Sequence, residues 1–263
     1  MKKLKIICIT LVFCLTVTSL FGCAKENEQK VYGDFIYTIV YYDEKGVSVK
    51  EEKSVHSFVR ILGLSDVGKE KEIIVFPEYI EGLKVEELGR NIAWIGSHGI
   101  IESSKLKKLF FPYNLSISSD AIQDSVNLEG VFILEHIIPE YYIATGLSIY
   151  LTSNHYSNSN LTNFYGSDGY SNYYFSNVSY YYNYENAPND GYYWIDNYNY
   201  GEKIEYIPEQ PIRDRYTFGG WYKDPECVDA WNFEIDALPQ TQYDEQEKEI
   251  YQETKLYAKW INN

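Results

Sequence analysis

Leu106, Leu109, Phe110 and Phe111 recur 22 residues later as Leu128, Val131, Phe132 and Ile133, and the flanks Ser104-Lys105-Leu106-Lys107-Lys108 and Val126-Asn127-Leu128-Glu129-Gly130 align with them. An earlier run, Ile73-Ile74-Val75-Phe76-Pro77, is echoed by Lys108-Leu109-Phe110-Phe111-Pro112. A period of roughly 20–30 residues carrying one short apolar run is the mark of a solenoid. Each unit exposes an apolar edge that only the next unit covers, so the units stack into one core. The spacing is uneven: Leu88 to Leu106 covers 18 residues where Ile117 to Leu128 covers 11, which predicts a loop inserted around Ile92 to Ile101. Two or three units are few for a solenoid, so flanking strands are expected to cap them. Ile137-Ile138-Pro139 closes the region.

On the N-terminal side, Phe35-Ile36-Tyr37-Thr38-Ile39-Val40-Tyr41-Tyr42 and Val47-Ser48-Val49 flank the turn Asp43-Glu44-Lys45-Gly46, which predicts a hairpin, with His56 to Gly63 as a further strand. On the C-terminal side the chain turns aromatic: 15 of its 28 tyrosines fall between Tyr150 and Tyr206, interleaved with Asn and Ser. Such a bias suits binding loops, but it suits better still β-strands whose rings pack across neighbours, and strand packing is the expected role. Residues 153–177 show no regular pattern and stand as a linker or an irregular last repeat. Val178 to Tyr184 and Gly191 to Ile195 are strand-like runs around the turn-rich Glu185-Asn186-Ala187-Pro188-Asn189-Asp190.

Two segments resemble known families. Phe76-Pro77-Glu78-Tyr79-Ile80-Glu81-Gly82-Leu83-Lys84-Val85-Glu86-Glu87-Leu88-Gly89, Leu106 to Pro112, Ala121-Ile122 and Asn127-Leu128 resemble the BspA-type leucine-rich repeat. Ile122 stands where that family prefers Phe, and Leu88 where it prefers Ile; both swaps should preserve burial. Farther on, Arg215-Tyr216-Thr217-Phe218-Gly219-Gly220-Trp221-Tyr222, Cys227 and Thr254-Lys255-Leu256-Tyr257-Ala258-Lys259-Trp260 resemble the Listeria–Bacteroides repeat, or internalin B-repeat. That resemblance implies a small β-grasp-like fold, a buried structural thiol at Cys227, and an acidic insertion from Leu238 to Tyr251. In it, Gly219-Gly220 would permit a tight turn, while Trp221 and Trp260 fill a core completed by Leu256 and Ala258. The expected fold is therefore mainly β with short helices, a leucine-rich-repeat solenoid over residues 31–152 followed by a β-grasp-like domain over 178–263.

The first 30 residues point to export. Lys2, Lys3 and Lys5 precede an apolar run from Ile6 to Leu20, shorter than the ~20 residues a spanning helix needs. The run ends in Leu20-Phe21-Gly22-Cys23, which resembles the lipobox of bacterial lipoproteins. The resemblance implies a signal peptide over residues 1–22, lipidation at Cys23, and a polar tether over 23–30. It places the protein at the cell membrane, lipid-anchored on the extracytoplasmic face, since two acyl chains anchor stably where one does not. Cys8 and Cys14 would leave with the signal, so Cys227 would have no intramolecular partner and the fold would rest on packing alone.

Losing three lysines and no acid would move the formal charge from −15 to −18. That acidity argues against nucleic acid, whose phosphates demand a basic face. A search for chemistry yields little. Gly63-Leu64-Ser65-Asp66-Val67-Gly68-Lys69 copies the start of a phosphate-binding loop, but Glu70 stands where a hydroxyl is required and a strand follows in place of a helix. His56, His98, His136 and His155 are scattered, with no pair at metal-ligand spacing. No serine sits in a nucleophile-elbow context and Cys227 has no evident basic partner. No catalytic residue, metal or cofactor is assigned. Both resemblances imply a non-enzymatic surface module that binds an extracellular or envelope protein, or adheres. A structural spacer or scaffold of the envelope is the alternative, and a glycan-active enzyme, given the abundant carboxylates, ranks third.

Overall fold

The computed structural model describes residues 28–89, 101–113, 115–117, 121–122, 127–134, 148–153 and 172–263. The fold is mainly β. Among the described residues helix is confined to short 3-10 turns, such as 51–53, 68–70 and 189–191, and no helix is long and apolar enough to cross a membrane.

The chain begins with β1 (Lys30–Tyr32), β2 (Phe35–Tyr42) and β3 (His56–Leu64), all antiparallel neighbours. The hairpin expected at Val47-Ser48-Val49 forms in short form, with an antiparallel bridge between Tyr42 and Ser48 and the N–H groups of Asp43 and Val49 donating to the Val47 and Tyr41 carbonyls at 3.0 Å each, while the long partner of β2 is β3. The physical reason is burial. β3 brings Phe58, Val59, Ile61 and Leu64 into the interior, whereas Val47 is exposed and contributes nothing to the core. The turn itself is as expected, with Asp43 Oδ1 accepting the N–H groups of Lys45 and Val47 at 2.9 Å each.

Next come β4 (Ile73–Val75), the small hairpin of β5 (Tyr79–Ile80) with β6 (Leu83–Leu88), β7 (Lys108–Phe111), β8 (Ser116–Ile117), β9 (Gly130–Ile133), β10 (Ser148–Leu151) and β11 (Asn172–Phe175). β6 pairs parallel with β3 and with β8, extending the first sheet. The others form a parallel sheet ordered β11-β10-β9-β7-β4. Its register follows the sequence echoes: Leu109 lies beside Val131, Phe110 beside Phe132 and Phe111 beside Ile133, while Ile74 lies beside Leu109. β11 continues the stack, Tyr174 lying beside Tyr150, so the Ser/Asn/Tyr-rich stretch contributes a last strand there. The loop expected around Ile92 to Ile101 lies outside the described residues apart from Ile101, as does Ile137 to Pro139.

Side chains alternate across this parallel sheet. Ile74, Leu109, Phe111, Val131, Ile133, Ile149 and Leu151 face the first sheet and share a core with Val59, Ile61, Val85 and Leu88. Ile117, Ala121 and Ile122 are buried in the same core, so Leu88 and Ile122 preserve burial as expected. Phe35, Phe76 and Phe111 run through it as a ring series with centroids 5.1 and 4.3 Å apart.

The C-terminal sheet comprises β12 (Val178–Tyr181), β13 (Tyr192–Asp196), β14 (Tyr216–Tyr222) and β15 (Thr254–Asn262), ordered β13-β12-β15-β14. β12 and β15 are parallel; the outer pairs are antiparallel. Trp221, Leu256 and Ala258 are buried with Tyr180, Trp194 and Ile195, as the tryptophan-rich motifs implied, but Trp260 only packs against the edge of this cluster, its Nε1 donating to the Tyr182 carbonyl at 2.5 Å. Gly219-Gly220 is not a turn. It lies inside β14 at a bulge between Phe218 and Trp221, where Gly220 takes φ +105 and re-aims Trp221 inward. The acidic stretch after Leu238 carries no strand; Leu238 itself is buried, its N–H donating to the Glu202 carbonyl at 2.8 Å.

Candidate functional site

Of the residues singled out in the sequence, Leu20, Phe21, Gly22 and Cys23 lie outside the described residues, as do His98, His136 and His155. His56 Nε2 lies 3.0 Å from Glu86 Oε2 on the surface. Among the described residues no three of His, Cys, Asp and Glu cluster as a metal site would require. The Gly63 to Lys69 stretch is a packed corner: the Ser65 hydroxyl donates to the Gly33 carbonyl at 2.8 Å and accepts from Gly68 N–H at 3.1 Å. Gly68 sits so close to the Asp34 carbonyl that a Cβ has no room.

Cys227 is half-buried rather than buried, and its φ of 56 is left-handed. Its Sγ lies 3.4 Å from Asn183 Nδ2 and 3.8 Å from the Ala258 carbonyl. Burial pushes the thiol above its ordinary range, against the Asn183 amide, which lowers it. That is the setting of a packed thiol, since a nucleophilic cysteine needs the opposite shift.

The outer face of the parallel sheet is the surface a stacked-strand protein would offer to a ligand. Here the C-terminal sheet lies against it. Phe110 stacks on Trp194 with centroids 3.5 Å apart, and Phe110, Phe132 and Leu134 belong to the C-terminal core. Lys108 Nζ lies 2.6 Å from Asp196 Oδ1 and 4.4 Å above the ring of Tyr198. Asp196 also accepts from its neighbour Asn197 N–H at 2.8 Å and from the Tyr198 hydroxyl at 2.9 Å, so this buried carboxylate has a full set of donors. Farther along, Asn189 Nδ2 donates to the Pro112 carbonyl at 3.0 Å, and Ser153 Oγ lies 3.1 Å from the Tyr192 hydroxyl. Three layers of sheet thus stack as one body, with the parallel sheet in the middle and buried on both faces as parallel sheets generally are.

Gly130 belongs to this arrangement. Phe132 and Tyr150 stack at 4.8 Å across β9 and β10, and a Cβ on Gly130 would lie 2.7 Å from the Tyr150 ring. The outer row therefore runs Phe110, Phe132, Tyr150, Tyr174, and only its far end leaves the cover: Tyr174 is 47% exposed. Beside that end opens a cleft of about 520 Å³ between β10–β11 and the segments 197–200 and 241–251.

The cleft offers a ligand a concave site rich in ring surface. Tyr150, Tyr174, Tyr198, Tyr200 and Tyr251 line it, with Asn197 and Asn199 between them. Several of the rings are fixed by their hydroxyls. Tyr251 donates to the Ser176 carbonyl at 2.7 Å, Tyr200 accepts from Gln252 N–H at 2.7 Å, and Tyr198 accepts from Tyr206 N–H at 3.1 Å. Burial raises the phenols of Tyr150, Tyr198 and Tyr251, with nearby acidic groups adding to the effect, so these rings stay neutral across ordinary pH. The strand packing expected of the tyrosine-rich stretch accounts for part of it. Tyr180 and Tyr192 pack in the interior, whereas Tyr174 and Tyr251 remain at the surface.

Asp196 and Lys108 went unnoticed in the sequence, although one signal for the cover was present: Lys108-Leu109-Phe110-Phe111 and Gly130-Val131-Phe132-Ile133 are apolar on both faces, which requires a second layer. No curated protein and no solved structure matches the chain. Residues 177–259, which include all of the C-terminal sheet but the last three residues of β15, match the family model of the Listeria-Bacteroides repeat domain.

Proposed function

We propose that the protein is a non-enzymatic surface module: a short BspA-type leucine-rich-repeat stack closed by a β-grasp-like Listeria-Bacteroides repeat, tethered through a lipidated Cys23 and used for adhesion or for holding an extracellular or envelope macromolecule. The observation that carries this reading is the layered body itself. The in-register parallel strands support the repeat stack, and the match over residues 177–259 supports a surface-associated C-terminal unit. Function is borrowed from both resemblances, and a shared fold alone is a weak warrant for any one partner. The cover over the parallel sheet shifts the expected contact surface away from the stacked strands and toward the rim where the two units meet.

Two experiments test it. Mass spectrometry of the N-terminal peptide from membranes should find a diacylglyceryl-modified Cys23, and a cleaved, unmodified terminus or an uncleaved one would contradict the anchor. The purified full chain should bind intact cells or envelope fractions saturably and without turnover. Hydrolysis of a glycan or peptide that a single carboxylate substitution abolishes would overturn the non-enzymatic reading.

A further inference from the structure

The cleft at the open end of the outer aromatic row has a chemistry of its own. Its ring faces come from two separate parts of the chain, Tyr150 and Tyr174 on the parallel sheet and Tyr198 and Tyr251 on the C-terminal unit, and several are held by hydrogen bonds of their hydroxyls to backbone. Fixed rings lose little entropy when a ligand settles on them. Between the rings, the side-chain amides of Asn197 and Asn199 take no hydrogen-bond partner among the described residues, although both line the opening. An amide both donates and accepts, which matches a group that does the same.

The charges narrow the ligand class. Among the described residues no Lys or Arg lines this cleft, so none of them there would hold a phosphate, sulfate or carboxylate. The ammonium of Lys108 is committed to Asp196. A cationic ligand is less well served, because Asp196 already accepts from Lys108, Asn197 and Tyr198 and the one carboxylate among the lining residues, Glu249, is exposed to solvent. What remains is a neutral ligand with C–H faces to lie on the negatively charged faces of the rings and hydroxyls to meet free amides. We infer that this cleft binds a neutral oligosaccharide, with Tyr174 as its stacking platform and the amides of Asn197 and Asn199 as its hydroxyl contacts.

This inference rests on the adhesive reading above and names its ligand class. The test is isothermal titration of the purified full chain with four probes: hexasaccharides of β-1,4-linked glucose and of β-1,4-linked N-acetylglucosamine, a sulfated hexasaccharide, and hexalysine. At least one neutral hexasaccharide should bind saturably, and Asn197→Ala combined with Asn199→Ala should weaken it about ten-fold or more. Tyr174→Ala should do the same, while Ile212→Ser, at an exposed site away from the cleft, should leave it unchanged. Thermal unfolding of each variant separates lost binding from lost structure. Failure of both neutral probes to saturate at millimolar concentration, binding untouched by the cleft variants, or binding of hexalysine or the sulfated probe alone would each overturn the inference. Cell attachment measured in parallel keeps the two readings apart. Attachment that persists in the Asn197→Ala, Asn199→Ala variant sinks the cleft and spares adhesion, and a wild-type chain that attaches to nothing sinks the adhesive reading.

Discussion

Lys108 Nζ lies 2.6 Å from Asp196 Oδ1, whose side chain is 2% exposed, although 88 residues separate the two in the chain. The pair joins the start of β7, next to the β4 edge of the parallel sheet, to the end of β13, and the Phe110–Trp194 stack lies beside it. An ion pair taken out of water stabilises little by itself, because desolvation offsets attraction; breaking one partner is what costs. Lys108→Met should therefore destabilise the chain by about 3–5 kcal/mol, leaving Asp196 buried without its counter-charge. Combining it with Asp196→Asn should recover part of that loss. Urea denaturation of the two single variants and the double variant checks this, and strictly additive losses would mean that the pair is not coupled.

Gly130 should tolerate no side chain of size. Gly130→Val would push the Tyr150 ring off Phe132 and open the outer aromatic row, at a cost of about 1–3 kcal/mol for overpacking. Near-ultraviolet circular dichroism should lose tyrosine signal while the far-ultraviolet strand signal stays.

Tyr180 points the other way. It is fully buried, and its hydroxyl has no hydrogen-bond partner among the described residues, so the phenol carries a desolvation penalty without a compensating bond. Tyr180→Phe should leave stability unchanged or raise it by about 1 kcal/mol, read as the shift in the urea midpoint. A clear loss would show that the hydroxyl is satisfied in solution.

How much of this the sequence disclosed differs from one layer to the next. The register of the parallel sheet was legible because Leu109-Phe110-Phe111 and Val131-Phe132-Ile133 carry the same pattern at a fixed spacing, and stacking demands that copies align. The turn at Asp43 to Gly46 and the strand from His56 were legible, but not that β3 would be the long partner of β2, because the burial of Phe58, Val59 and Ile61 decides that. Gly219-Gly220 looked like a turn because a bulge and a turn both ask for a positive φ. The Lys108–Asp196 pair and the Tyr174 cleft were not legible at all. Both arise from long-range docking of two sheets, and no local spacing records which faces meet.

Acid should loosen the 221–236 segment only below the ordinary carboxylate range. The Asn232 N–H and the Lys223 ammonium hold the Asp236 carboxyl below its ordinary value of 3.8, and the N–H groups of Asp229 and Val228 do the same for Asp224. A depressed folded-state value means that the contribution is present above the unfolded value and is lost as pH falls through the folded one. Amide resonances of Val228, Asp229 and Asn232 should therefore titrate with midpoints below 3.8. Midpoints above it would show that the carboxylates are not engaged.

Cys227 should alkylate slowly. Its thiol is raised by burial, so at pH 8 less of it is thiolate than in a free cysteine, and iodoacetamide should modify it more slowly than it modifies an unfolded control. Faster modification than the control would mark it as an activated thiol.

The central claim is that the C-terminal sheet covers the outer face of the stacked parallel strands and that the two move as one body. Hydrogen exchange on the full chain with and without Asp196→Asn addresses it most directly. Amides of Leu109, Phe110, Val131 and Phe132 should lose protection together with those of Trp194 and Ile195 when the carboxylate is removed. Loss confined to Trp194 and Ile195, with β7 and β9 exchanging as before, would mean that the two sheets are not docked.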